Sequence, residues 1–249
     1  MLSRSQQNDV PETLARSTAA VLCDLDGTLL NTEEAWRQTV IESIEAMGFV
    51  ASERVVSAAE GATLEQTAAL LTRELSLVDA ADVVLHALET RALARLRTNT
   101  GWLPGARELL VSLDHVDVPI ALVTSSPRRW VDAIAKNHDL SVFEVVITAD
   151  DVVNTKPHPE PYAAAAAALG VDPERCVVFE DSRPGLNAAL AAGCRTVLVR
   201  TGTAPWSEGA DAVVQSLTGV TAAWIAERFG LSAPTSARRS PSTRRTRRP

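Results

Sequence analysis

"VLCDLDGTLL", residues 21–30, ends an apolar run with two aspartates, Asp24 and Asp26, set either side of one leucine and followed by Gly27 and Thr28. Residues 18–23 are short, apolar and partly β-branched, as in a strand buried on both faces of a parallel sheet. Buried charge is costly unless something answers it, so two carboxylates at the end of such a strand demand partners from elsewhere in the chain.

Downstream of this stretch the periodicity becomes helical and stays so from Asn31 to about Asn99. "NTEEAWRQTVIESIEAMG" (31–48) puts Trp36, Val40, Ile41, Ile44 and Met47 on one stripe, opens with Asn31 and Glu34 at capping-box spacing and stops at Gly48. "TLEQTAALLTREL" (63–75) opens with Thr63 and Gln66 in the same arrangement, and "DAADVVLHALETRALARLR" (79–97) is a third amphipathic segment. After "GWLPGA" the rhythm alternates. Helix 105–114 precedes the strand "PIALVTS", helix 128–138 precedes "FEVVITA", helix 160–169 precedes "RCVVFED", and helix 184–192 precedes "RTVLVRT". A last short strand, "DAVVQS", is followed by a helix at 219–229. Short apolar strands separated by single helices are the mark of βαβ units. The sequence thus predicts an α/β protein, a doubly wound parallel-sheet core (18–32 and 101–232) with an inserted α-helical cap domain (33–100). Residues 1–17 read as a flexible N-terminal segment, and 233–249 as a disordered Arg-rich tail.

At 249 residues and 46% hydrophobic content, the chain can bury a large core without staples. Cys23, Cys176 and Cys194 lie in or beside apolar runs, form no CxxC pair and read as buried thiols of a reducing compartment. No apolar run approaches the roughly 20 residues that span a bilayer, and "MLSRSQQNDVPETLARS" has no signal-peptide core. A cytoplasmic protein with no membrane partner is expected, a monomer being favoured. The net charge of −7 conceals an asymmetry, because six arginines (Arg238, Arg239, Arg244, Arg245, Arg247, Arg248) fall in the last dozen residues. The remaining 18 bases face 31 acids, so the body carries −13 and does not look like a nucleic-acid surface.

Ligands of open parallel sheets bind beyond the carboxyl ends of the strands. There the chain places Asp24 and Asp26, then Thr124 and Ser125, then Asp150 and Asp151 followed by Lys156, then Glu180 and Asp181. Alone, a DxD is a common turn or helix cap. Four such groups at four strand ends complement one another. Gathered acids repel unless a hard cation with oxygen ligands, most simply Mg²⁺, lies among them. A phosphate could then approach, its charge offset by the metal, Lys156 and the hydroxyl and N–H groups of Thr124 and Ser125. Two carboxylates in different surroundings can divide the work, one as nucleophile and one as acid.

These residues resemble the haloacid dehalogenase superfamily, in its phosphatase branch with a helical cap after the first strand, the β-phosphoglucomutase-like and phosphoglycolate phosphatase-like group. "DLDGTL", "ALVTSS", "NTKPHPEPY" and "VFEDSRPGLNAALAAG" match its four motifs, and the resemblance covers about residues 18–217. It implies that Asp24 attacks phosphorus and becomes an aspartyl-phosphate, and that Asp26 serves as general acid and base. Thr124, Ser125 and Lys156 would hold the phosphoryl oxygens. Mg²⁺ would be held by Asp24, the carbonyl of Asp26, Asp181 and Glu180, the last directly or through water. In the mutases of this group a histidine follows the DxD loop and an arginine of the second cap helix grips the substrate's distal phosphate; the matching positions here are Trp36 and Leu64. An apolar Leu64 cannot do so.

The expected activity is therefore Mg²⁺-dependent hydrolysis of a small phosphomonoester, a sugar, polyol or cyclitol phosphate. The alternatives are a β-phosphoglucomutase-like mutase and, from another class, a non-catalytic binding protein on the same fold. Trp36 reads as cap core or as a wall for a ring. His86, His115, His138 and His158 fit no ligand pattern, and His158 reads as a helix-start residue.

Overall fold

A computed structural model describes residues 17–59, 62–77, 80–98, 100–200 and 205–231. The N-terminal segment and the arginine-rich tail expected from the sequence lie, but for Ser17, outside them. Six strands form one parallel sheet in the order β3-β2-β1-β4-β5-β6, where β1 is Ala20–Cys23, β2 Ile120–Val123, β3 Val145–Ile147, β4 Cys176–Glu180, β5 Arg195–Val199 and β6 Ala212–Val214. The order reverses at β1, which pairs with β2 on one side and β4 on the other. Ligand crevices of open sheets form at such a reversal.

Side chains alternate across the sheet and bury both faces. Val21, Cys23, Ile120, Leu122, Val177 and Phe179 pack with the helices α5 (Ala106–His115), α6 (Arg128–Ile134) and α9 (Ala222–Phe229). Ala20, Leu22, Ala121, Val123 and Val178 face α7 (Glu160–Leu169) and α8 (Arg183–Ala191). Ala165 and Ala166 from the alanine run are fully buried there, so small side chains bring α7 close to β1. His158 helps to start α7, its Nδ1 accepting from the Glu160 N–H at 3.2 Å. All three cysteines are buried thiols, and burial pushes Cys176 and Cys194 up to about 12.

Between β1 and α5 come the helices α1 (Thr32–Ala46), α2 (Glu53–Ala58), α3 (Leu64–Glu74) and α4 (Ala81–Leu96), which share their own apolar centre of Val40, Ile44, Val56, Leu71 and Leu88. The Thr63–Gln66 capping box at α3 is complete. At α1 only half of it forms. The Asn31 side chain accepts from the Glu34 N–H, while the Glu34 carboxylate accepts from Gln38 Nε2 instead. The short α2 was not anticipated, and the expected helix 128–138 ends at Ile134, beyond which turns lead to a buried His138. The two segments that carry the chain into and out of this insertion run side by side. Leu30 and Trp102 form an antiparallel bridge, Asn31 N–H donates to the Gly101 carbonyl at 2.9 Å, and Leu103 N–H to Leu29 at 2.8 Å. Among the described residues no helix is long and apolar enough to cross a membrane.

Candidate active site

Each strand of the central trio ends by delivering one group to the same place. Asp24 leaves β1 with its N–H donating to the Phe179 carbonyl at 3.0 Å, so the parallel ladder runs up to the carboxylate itself. Leu25 turns back into the core and is fully buried, which leaves Asp24 and Asp26 on the crevice side. Gly27 makes the sharp exit possible. Its φ is +81°, and a Cβ there would sit 2.2 Å from Asp181 Oδ2. Only glycine meets both demands.

Asp24 is 6% exposed, and Lys156, from the loop before α7, reaches it at 2.6 Å. The same ammonium donates to Glu180 Oε1 at 2.6 Å and to the Val123 carbonyl at 2.9 Å. Burial drives the Asp24 carboxyl well above its usual range; Lys156 opposes this, while Glu180, Asp181 and Asp26 reinforce it. Burial also works against the Lys156 charge, but Asp24 and Glu180 outweigh it and hold the ammonium more firmly protonated than a free lysine.

Glu180 is completely buried at the end of β4. Its Oε1 accepts from Lys156 and from the Tyr162 hydroxyl at 2.8 Å, and its Oε2 from the Asp181 N–H, the Ser182 N–H and the Ser182 hydroxyl at 3.0, 3.0 and 2.9 Å. Burial alone would raise Glu180; the Lys156 charge and these donors hold it below the ordinary value. Gly185, in the first turn of α8, leaves room for the carboxylate, since a Cβ there would lie 1.7 Å from Oε1. Asp181 accepts from the Thr28 hydroxyl at 3.2 Å and is pushed up to about 7, by burial first and then by the charges of Glu180 and Glu33.

Asp26 stands apart. Its Oδ2 accepts from the Thr124 hydroxyl and the Ser126 hydroxyl, both at 2.8 Å, and the Ser126 N–H donates to Thr124 Oγ1 at 3.0 Å. Ser126 is thus the second hydroxyl on Asp26, and Ser125, expected at the phosphoryl oxygens, is exposed beside it. Asp150 and Asp151 do not join the site. Asp150 accepts from the Arg128 N–H, and Asp151 pairs with the Arg128 side chain and with Thr148, bonds that pin the loop after β3.

Three acids are brought together as a potential cation site. Ligand oxygens of Asp24, Glu180 and Asp181 lie within 4.8 Å of one another. Sequence reasoning gave no role in the site to Ser126, Thr28, Ser182 and Tyr162, although all four lie within the quoted motifs. The last carried one signal, being the chain's single tyrosine on a helix face that is otherwise alanine, leucine and proline.

Trp36 and Leu64 belong to the cap interior. Leu64 is 7% exposed among the cap's apolar residues, and Trp36 packs beside them with its indole N–H donating to the Ala59 carbonyl at 3.1 Å.

The model of a family described as haloacid dehalogenase-like hydrolase matches residues 21–199. Validoxylamine A 7'-phosphate phosphatase of Streptomyces hygroscopicus subsp. limoneus is 33% identical over 201 residues, 80% of this chain and 94% of that protein. Hexitol phosphatase A of Escherichia coli K12 is 31% identical over 209 residues, 80% of this chain and 92% of its own length. Among solved structures, CbbY from Rhodobacter sphaeroides in complex with phosphate superposes with a TM-score of 0.67 at 26% identity, covering 84% of this chain and 99% of that one.

Proposed function

Because the chain belongs to the haloacid dehalogenase-like hydrolases, we propose that it is a Mg²⁺-dependent phosphatase that hydrolyses a small sugar, polyol or cyclitol phosphate through an aspartyl-phosphate. The observation that carries the reading is the division between the two aspartates: Asp24 buried against Lys156, Asp26 held apart by Thr124 and Ser126.

In this mechanism a carboxylate oxygen of Asp24 attacks phosphorus in line, and the bond from phosphorus to the substrate oxygen breaks. Lys156 turns a donor to the phosphoryl oxygens, joined by Thr124 and the exposed Ser125 at the mouth. Asp26, carrying a proton, delivers it to the leaving alkoxide. Water then attacks phosphorus, Asp26 takes its proton, and phosphate and free Asp24 are released. Thr124 donates to Asp26 before substrate arrives, so its hydroxyl must change partner as the phosphoryl group binds.

The donor set fits Mg²⁺. It is all oxygen, and a span of 4.8 Å is close to the roughly 4 Å between opposite ligands of an octahedral shell. Asp24, Asp181 and the carbonyl of Asp26 would hold the ion. The Glu180 oxygens already accept five hydrogen bonds, which fills a carboxylate's capacity, so Glu180 contributes by its charge. Bound there, the cation would neutralise charge on the transferring phosphoryl group. Residues 33–100 act as a cap domain that closes over this edge of the sheet.

The matching relatives act, by their names, on a validoxylamine phosphate and hexitol phosphates, which supports a polyhydroxylated monophosphate as substrate. Leu64, enclosed in the cap, gives a second phosphate nothing to bind, so hydrolysis is favoured over a mutase reaction. The test is phosphate release from a panel of sugar, polyol and cyclitol monophosphates, with Mg²⁺ and with chelator. Release that requires Mg²⁺ is expected; isomerised product without release would point to a mutase, and no reaction at all to a binding protein.

A further inference from the structure

The lysine ammonium at the centre of the site has three N–H donors, and all three are committed, to Asp24, Glu180 and the Val123 carbonyl. The two carboxylates hold it at equal distances of 2.6 Å. They are not equal partners, since Asp24 must at some stage give Lys156 up to a phosphoryl oxygen. Glu180 shares the oxygen that Lys156 uses with a second donor, the Tyr162 hydroxyl at 2.8 Å.

Tyr162 has 0% exposure, and its neighbours on the inner face of α7, Ala165, Ala166 and Leu169, are apolar. A buried phenol is costly without a partner, and phenylalanine would fill the same space without that requirement. The ring also lies beneath the lysine, with Nζ 5.0 Å from its centroid.

We propose that Tyr162 is a positioning residue whose hydroxyl tempers Glu180, so that Lys156 stays divided between Glu180 and Asp24 and remains available to the phosphoryl group. The inference rests on the phosphatase reading. Without the hydroxyl, Glu180 Oε1 has Lys156 as its sole hydrogen-bond donor. Their attraction strengthens in a site shielded from water, and the ammonium is drawn away from Asp24.

Two substitutions separate the hydroxyl from the ring. Tyr162→Phe keeps the packing and the contact beneath Lys156; Tyr162→Leu removes both. With Mg²⁺ and p-nitrophenyl phosphate, Tyr162→Phe is expected to lower kcat about five- to tenfold with KM changed less than about twofold. Its melting midpoint should stay within about 4 °C of the parent. In a Glu180→Gln background the same change should alter kcat by less than about twofold, because the two residues act as one unit. An unchanged kcat in Tyr162→Phe, or an equal loss in the Glu180→Gln background, overturns the proposal. Should the parent release no phosphate from any substrate, the phosphatase reading fails on its own. The positioning relation is then read from crystal structures of the parent and Tyr162→Phe. Lys156 Nζ is expected beyond about 3.5 Å from Asp24 in the variant, and unaltered lysine contacts overturn the proposal.

Discussion

Trp36 of the cap and Trp130 of the core meet ring against ring, their centroids 5.8 Å apart and their planes tilted by 42°. Trp130 packs against the apolar centres of both layers, and Arg129 beside it pairs with Glu89 of α4 at 2.5 Å. These contacts fasten the cap to α6, the helix that follows the Thr124–Ser126 loop. Trp130→Ala is therefore expected to loosen the cap and leave the sheet alone. Hydrogen exchange should quicken in Thr32–Ala46 and Ala81–Leu96 but not in Cys176–Glu180, and KM should rise several-fold. Equal protection of all three segments would show that the cap is fastened elsewhere.

Asp24→Asn removes the proposed nucleophile while keeping its shape. Turnover is expected to fall by about a thousandfold or more. The fold should persist, because Lys156 retains Glu180 and the Val123 carbonyl, and the buried carboxylate that is lost was held at a cost. Residual phosphate release near the parental rate would exclude Asp24 as the attacking group.

Gly185→Ala forces a Cβ to within 1.7 Å of Glu180 Oε1, where the carboxylate is fixed by five donors and cannot step aside without breaking them. A loss of about 1–3 kcal/mol in stability is expected from the overpacking, together with most of the activity. Denaturant melts and kinetics on the same preparation check both.

His138 links acidity to the cap's return segment. Its Nε2 lies 2.8 Å from the Thr100 hydroxyl and 2.9 Å from the Thr100 carbonyl, and its ring meets Trp102 edge-on at 5.3 Å. Burial, aided by the charge of Arg107 and opposed by the Thr100 carbonyl, holds it below the ordinary 6.5. Between the two values the unfolded chain binds a proton that the native protein does not, so this group's contribution is complete above 6.5 and is lost as pH falls below it. The melting midpoint should drop with acidification in that window, and His138→Gln should flatten the dependence. An equally steep slope in the variant would assign it to other groups.

The strand ends were legible in the sequence because a parallel sheet covered on both faces makes each strand a short unbroken apolar run, and the polar residues that stop it stand out. Asp24, Glu180 and Asp181 stand at such ends, the structure brings them together with Lys156 from the loop that follows β3, and α7 lies at the residues where its pattern placed it, Glu160–Leu169. A strand end does not say which way a side chain turns. Asp150 and Asp151 occupy such a position, yet bond to Arg128 and Thr148. That Ser126 reaches Asp26 while its neighbour Ser125 stays exposed is decided by the loop's conformation, which leaves no periodic trace. The helix Glu53–Ala58 is too short to show a period at all. Tyr162 sits at an apolar position, and nothing local announces that its one polar atom meets Glu180 across the layer.

The side-by-side run of Leu29–Asn31 with Gly101–Leu103 gives the cap the character of a graft. Its two ends leave the core as neighbours, so joining them directly would close a short loop at little entropic cost and would not disturb the register of β1. The insertion is thus joined to the sheet as a detachable unit, one whose replacement would leave the strand ends and their carboxylates in place.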